Sequence, residues 1–113
     1  MQDCIFCKIA AKEISAQLIY EDEHVVAFPD ISPVAPSHIL IVPKQHVPSI
    51  LELSADSPLP AGLMRAIPLV AAKMGLSESG FRAVINTKED GGQTVPHLHV
   101  HLLGGRAMKW PPG

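Results

Sequence analysis

The spacing of apolar positions switches between helical and extended several times along the chain. Asp3 is placed to N-cap a short helix over 4–12. Leu18–Glu21 and Val25–Phe28 are short β-rich runs separated by Glu21-Asp22-Glu23-His24, which predicts a hairpin. Three prolines punctuate a loop over 29–37. Ile39-Leu40-Ile41-Val42 is a continuous apolar run stopped by Pro43, as expected of a central strand buried on both faces. Residues 58–75 form the main predicted helix. Leu63, Met64, Ile67, Val70, Ala71 and Met74 recur there as one stripe, and Gly75 supplies the stop. Pro68 conflicts with this helix. It removes the bond to the Met64 carbonyl at a cost of about 3 kcal/mol or more, so a kink or two shorter helices are expected. Phe81–Asn86 reads as a strand, 88–93 as a turn, His97–Leu103 as the last strand and 104–113 as a tail.

The order is helix, three strands, helix, two strands. Helices interrupt the strands too rarely for a doubly wound parallel sheet. The expected fold is α+β, with a mostly antiparallel five-stranded sheet, one short N-terminal helix and one longer helix. At 113 residues the chain suits a single domain over 1–113 that needs neither metal nor disulfide to fold. The 47% apolar content excludes a disordered chain, and a net charge of −2 argues against a nucleic-acid surface. No apolar run approaches a membrane span, and Met1-Gln2-Asp3 does not resemble a signal peptide. A cytoplasmic protein without a membrane partner is expected. In that compartment Cys4-Ile5-Phe6-Cys7 reads as a metal half-site or a redox pair rather than a structural disulfide. The redox alternative lacks the thioredoxin-like βαβ context that would support it.

The chemistry concentrates in His97-Leu98-His99-Val100-His101-Leu102-Leu103. Half of the six histidines fall within five positions. Strand alternation puts the three imidazoles on one face and Leu98, Val100 and Leu102 on the other. Adjacent members of the row would lie roughly 6–7 Å apart and the outer two roughly 13 Å apart. A metal with bonds of about 2 Å could then take two neighbours but not all three. A polar, solvent-facing row is the plain alternative. Just before the row, Asp90-Gly91-Gly92-Gln93-Thr94 can turn backbone N–H groups toward an anion, or simply make a hairpin turn. A neutral imidazole beside such a loop suits phosphoryl chemistry, which needs a nucleophile and fixed donors for the non-bridging oxygens.

His97–Leu103 resembles the His-x-His-x-His-x-x motif of the histidine triad (HIT) superfamily. Cys4–Ile9, Tyr20–Asp22, Ala27–Ser32, Ala35–Pro43, Asn86, Asp90–Val95 and the tail from Gly104 to Gly113 are similar to its Hint branch, the purine nucleoside phosphoramidases. His101 in third place, rather than Gln, also fits that branch. The resemblance implies that His99 attacks the α-phosphorus of an AMP-like or GMP-like substrate and forms a nucleotidyl-histidine. It implies that His101 contacts the leaving group and phosphate, that His97 orients His99 through backbone and ring, and that His38 stands behind them. Asn86, Gly92, Gln93 and Thr94 would hold the phosphate, Asp30 the ribose hydroxyls, and Ile5, Phe6, Ile9, Phe28, Ile31 and Leu40 the purine. Trp110 would reach toward a partner subunit in a homodimer. By position, Cys4, Cys7, His46 and His97 match the structural zinc ligands of other members of the superfamily. Two departures stand out: Pro96 replaces an aromatic residue before the triad, and Pro68 interrupts the helix of the family's dimer interface. Two other functions are carried alongside: a nucleotide-binding or interaction module with incidental catalysis, and a zinc-dependent hydrolase using adjacent triad histidines as ligands.

Overall fold

The structure, a computed structural model, describes residues 3–113. The chain order is α1 (Ile5–Ala10), β1 (Tyr20–Glu21), β2 (Val25–Pro29), β3 (Ser37–Pro43), a 3-10 turn (Ile50–Glu52), α2 (Leu59–Lys73), β4 (Phe81–Val84), α3 (Lys88–Gly91) and β5 (Val100–Gly104). One five-stranded sheet runs β1-β2-β3-β5-β4, antiparallel throughout. The expected α+β class and antiparallel sheet are borne out. Among the described residues no helix is long and apolar enough to cross a membrane.

The sheet is apolar on both faces because each face carries a helix. Val25, Ala27, Ile39, Ile41, Val100 and Leu102 pack toward α2 through Leu59, Leu63, Ala66 and Val70. Val26, Phe28, Leu40 and Val42 pack toward α1 through Phe6 and Ile9. This two-sided burial explains why β3 is a continuous apolar run. Each aliphatic side chain so buried contributes about 1.5–3 kcal/mol.

Several boundaries differ from the sequence expectation. Cys4, not Asp3, caps α1: its Sγ accepts the Cys7 N–H at 3.3 Å. The expected strand over Leu18–Glu21 keeps only Tyr20–Glu21, and the one over Phe81–Asn86 ends at Val84. Lys88–Gly91 forms a single helical turn in place of an open turn.

The main helix is not divided into two: α2 is one continuous helix from Leu59 to Lys73 with Pro68 inside it. Met64 is 69% exposed and Pro68 is exposed too, so the missing hydrogen bond falls on the solvent side of the helix. Met64 accordingly leaves the buried stripe, and Leu59, Gly62 and Ala66 complete it.

The histidine strand is shorter than expected. The ladder begins at Val100, opposite Ile41, and His97 to His99 precede it as an extended lead-in anchored by the Leu98 N–H to the Val47 carbonyl at 2.7 Å. The alternation survives nonetheless. Leu98, Val100 and Leu102 all enter the core under α2. The three imidazoles turn toward α1, where Phe6 meets His97 and His99 edge-on.

Candidate functional site

The rings of His99, His101 and His38 lie in contact along the α1 side of the sheet. His99 is fixed by its own chain: its Nδ1 lies 2.7 Å from the His97 carbonyl oxygen. A carbonyl only accepts, so Nδ1 carries the proton and Nε2 keeps its lone pair. Nε2 has no hydrogen-bond partner among the described residues. No side-chain N or O among the described residues is both buried and unpaired, so this lone pair reaches solvent. The backbone part of the expected His97–His99 relation is present. Their rings are bridged by Phe6, at centroid distances of 5.8 and 5.1 Å.

The His99 and His101 centroids are 4.9 Å apart, closer than the strand repeat because the lead-in bends away from ladder geometry. Behind His101 a directed line of hydrogen bonds sets the tautomers. The Val34 N–H donates to His38 Nδ1 at 3.1 Å, so His38 holds its proton on Nε2. That Nε2 lies 2.9 Å from His101 Nδ1 and donates to it. His101 must then carry its own proton on Nε2. The Asp30 carboxylate lies 3.4 Å from His38 Nε2 through Oδ2, while Oδ1 accepts the Ser32 N–H at 2.8 Å.

Burial holds His38 below the ordinary imidazole range, with Asp30 opposing. Burial, then the neighbouring His99 and His38, does the same for His101. Both rings return to the ordinary value of about 6.5 on unfolding, so below that pH the unfolded chain binds more protons than the folded one. Stability is therefore complete above about pH 6.5 and lost as pH falls through the folded-state values. The urea midpoint is expected to be lower at pH 5 than at pH 7, and a midpoint unchanged or raised by acidification contradicts this.

Phe6, Ile9, Phe28, Asp30, Leu40 and Thr94 line a cavity of about 600 Å³, joined by Ile5 and by Ile31, which is 95% exposed. Ile14, Ser15, Ala16, Gln17 and Val95 also line it. Sequence reasoning missed the segment 14–17, whose only signal was a lone Ile in a polar connection. Asn86, Gly92, Gln93 and Trp110 do not line it, and neither His99 nor His101 forms its wall. Gln93 instead staples its loop: its Oε1 accepts the Lys88 N–H at 3.0 Å and its Nε2 donates to the Pro48 and Val95 carbonyls at 2.7 and 3.0 Å. Gly92, at φ 77°, closes α3 in a left-handed turn that favours glycine. The Gly92 and Gln93 N–H groups bond to the Glu89 and Lys88 carbonyls. The Thr94 and Val95 N–H groups have no acceptor among the described residues. Trp110 is 81% exposed.

On the other side of Phe6 the cysteines converge. His97 Nδ1 lies 3.2 Å from Cys4 Sγ and 3.5 Å from Cys7 Sγ, and His46 Nδ1 lies 3.2 Å from Cys7 Sγ. All four donor atoms fall within 4.8 Å of one another. A tetrahedral zinc with bonds of about 2.0–2.3 Å separates its donors by about 3.3–3.8 Å, so this set fits the ion. His97 donates its other nitrogen to the Pro43 carbonyl at 2.8 Å, the kind of outer contact that orients a ligating imidazole. Burial, with the adjacent Cys4 thiol, pushes the Cys7 thiol up to about 11. A dication between these donors would reverse that balance and release the thiol protons. The second cluster with ligand spacing is Asp30, His38 and His101. Among the described residues His99 belongs to neither cluster.

Residues 11–108 match the model of the HIT domain. An uncharacterized HIT-like protein of Synechococcus elongatus is 50% identical over 99% of this chain and 98% of its own. The purine nucleoside phosphoramidase of Escherichia coli (strain K12) is 43% identical over 95% of this chain and 91% of its own. The crystal structure of a HIT family hydrolase from Legionella pneumophila superposes with a TM-score of 0.93 at 49% identity, covering 98% of this chain and all of that one.

Proposed function

The chain belongs to the HIT domain family, and from that premise we propose that it is a hydrolase of purine nucleoside 5'-phosphoramidates acting through a nucleotidyl-histidine intermediate. One observation carries the reading: His99 is held by the His97 carbonyl with its Nε2 lone pair unengaged and open to solvent. The Escherichia coli relative, named as a purine nucleoside phosphoramidase, supports the substrate class.

The proposed reaction has two steps. His99 Nε2 attacks the α-phosphorus, the P–N bond breaks, and the leaving amine takes a proton from His101 Nε2. Water then attacks the phosphorus and gives a proton back to that nitrogen. The P–Nε2 bond breaks and the nucleoside monophosphate leaves. Protonation of the amine matters because an amide anion is a very poor leaving group. His38, donating to His101 Nδ1, keeps the His101 proton on the side of the reaction. The Thr94 hydroxyl and the free Thr94 and Val95 N–H groups meet the phosphate oxygens. Gly92 turns the same loop at φ 77°, and the Asn86 backbone packs against its neighbour Gly91. The purine enters the apolar cavity between Phe6, Ile9, Phe28, Ile31 and Leu40, whose volume suits a ligand of that size. Cys4, Cys7, His46 and His97 would hold a zinc ion, which when bound is structural and ties α1 to the loop after β3.

A second copy would extend the sheet. β4 is an edge strand with an exposed Phe81, and Trp110 is free to reach a neighbour. A cytoplasmic setting, which keeps Cys4 and Cys7 as thiols, and a single domain over 1–113 complete the reading.

Acid-quenched intact-mass analysis during turnover of an adenosine 5'-phosphoramidate tests it. The expected result is a species heavier by one AMP on wild-type protein. Turnover without that species would point to direct attack by water, and binding without turnover to a recognition module. Asp30 adds a graded prediction. A 2'-deoxy substrate should lose one hydrogen bond to a carboxylate, about 1.5–3 kcal/mol or roughly 10- to 100-fold in kcat/KM. Equal kcat/KM for ribose and deoxyribose substrates would remove Asp30 from ribose recognition.

A further inference from the structure

α1 has two working sides. Cys4 and Cys7 stand one turn apart and face His46 and His97. Ile5, Phe6 and Ile9, from the same turn and the next, line the 600 Å³ cavity. Phe6 sits between the two sites, with its ring edge-on to His97 at 5.8 Å and to His99 at 5.1 Å. His97 also faces both ways. Its ring meets the thiols and its carbonyl receives the His99 Nδ1–H at 2.7 Å. His46 closes the arrangement, with its ring 5.0 Å from that of His97.

We infer that Cys4, Cys7 and His46 are positioning residues for nucleotide binding, so that a zinc ion shared with His97 and a nucleotide in the cavity strengthen each other's binding. The inference rests on the reading of the cavity as the nucleotide slot. Its physical basis is rigidity. In the metal-free chain the Cys/His set is joined only by weak sulfur contacts, and a turn of helix this short has little stability of its own. Four metal–ligand bonds would lock α1, and with it the wall formed by Ile5, Phe6 and Ile9, against the lead-in that carries His99. A nucleotide wedged against that wall holds the same elements from the other side. Coupling of this kind is reciprocal: the factor by which zinc tightens AMP equals the factor by which AMP tightens zinc.

The test measures both affinities on full-length protein: AMP by calorimetry with zinc bound and removed, and zinc by competition with a chromophoric chelator, with and without saturating AMP. We expect AMP to bind at least about five-fold more tightly to the zinc form, and zinc to gain by the same factor in AMP. Cobalt-substituted protein supplies a readout that needs no metal-free sample. AMP should shift the cobalt absorption bands of wild type. The shift should shrink in Phe6→Leu, which retains all four ligands. Equal AMP affinities with and without zinc overturn the inference while leaving the proposed function standing, as does a cobalt spectrum indifferent to AMP. Protein that binds AMP but no zinc overturns it too. Protein that binds AMP in neither form overturns the inference and the nucleotide reading together. If the metal-free protein unfolds, the cobalt comparison alone decides.

Discussion

Replacing His99 by Ala is expected to lower hydrolysis of an adenosine 5'-phosphoramidate by more than about 10⁴-fold, the order seen when a covalent nucleophile is removed. AMP binding should change little, because the cavity walls come from α1, β2, β3 and the Thr94 loop rather than from the His99 ring. The AMP adduct should vanish with turnover. Fold should be retained, since Leu98 and Val100 on the opposite side supply the burial. The comparison with His101→Ala separates the two roles. Loss of a proton donor costs about 10²–10⁴-fold and should still permit an adduct from a substrate with a good leaving group. Wild-type turnover in the His99 variant would rule out the covalent route.

The largest expected effect on stability lies on the other face of the same histidine segment. Leu102 is fully buried, pairs with Ile39 and Ala83, and packs into the core under α2. Leu102→Ala should cost about 2–5 kcal/mol, transfer plus residual cavity. That is a large share of the roughly 5–15 kcal/mol by which a domain of this size is stable. Urea denaturation measures it directly, and a loss under about 1 kcal/mol would mean that the site collapses around the smaller side chain. Activity per folded molecule should be largely kept. Two positions three residues apart thus divide cleanly, one carrying chemistry and the other carrying the fold.

That division was legible because strand alternation is a local property. His97, His99 and His101 on one side and Leu98, Val100 and Leu102 on the other follow from a period of two, and the pattern survives even where the ladder does not form. β3 was legible for a similar reason: a run of Ile39 to Val42 without a polar break implies cover on both faces. The spacing of Cys4 and Cys7 placed both thiols on one turn. Pro68 misled as to a division into two helices, because local rules count the missing hydrogen bond without knowing that it falls on the helix's solvent side. Asp3 misled because a thiol took the capping position that an oxygen usually fills.

The sequence by itself determined the strand and helix content, the two-faced histidine segment and the set of residue types available for phosphoryl chemistry. All of these depend on neighbours within a few positions. Tertiary structure alone decided which partners those side chains have. Val34 and His38 set the proton on His101, Pro43 orients the other nitrogen of His97, and the 14–17 segment turns back to wall the cavity beside α1. Such contacts join residues tens of positions apart. Their geometry is set by how helices and sheet pack, a quantity that no local spacing records.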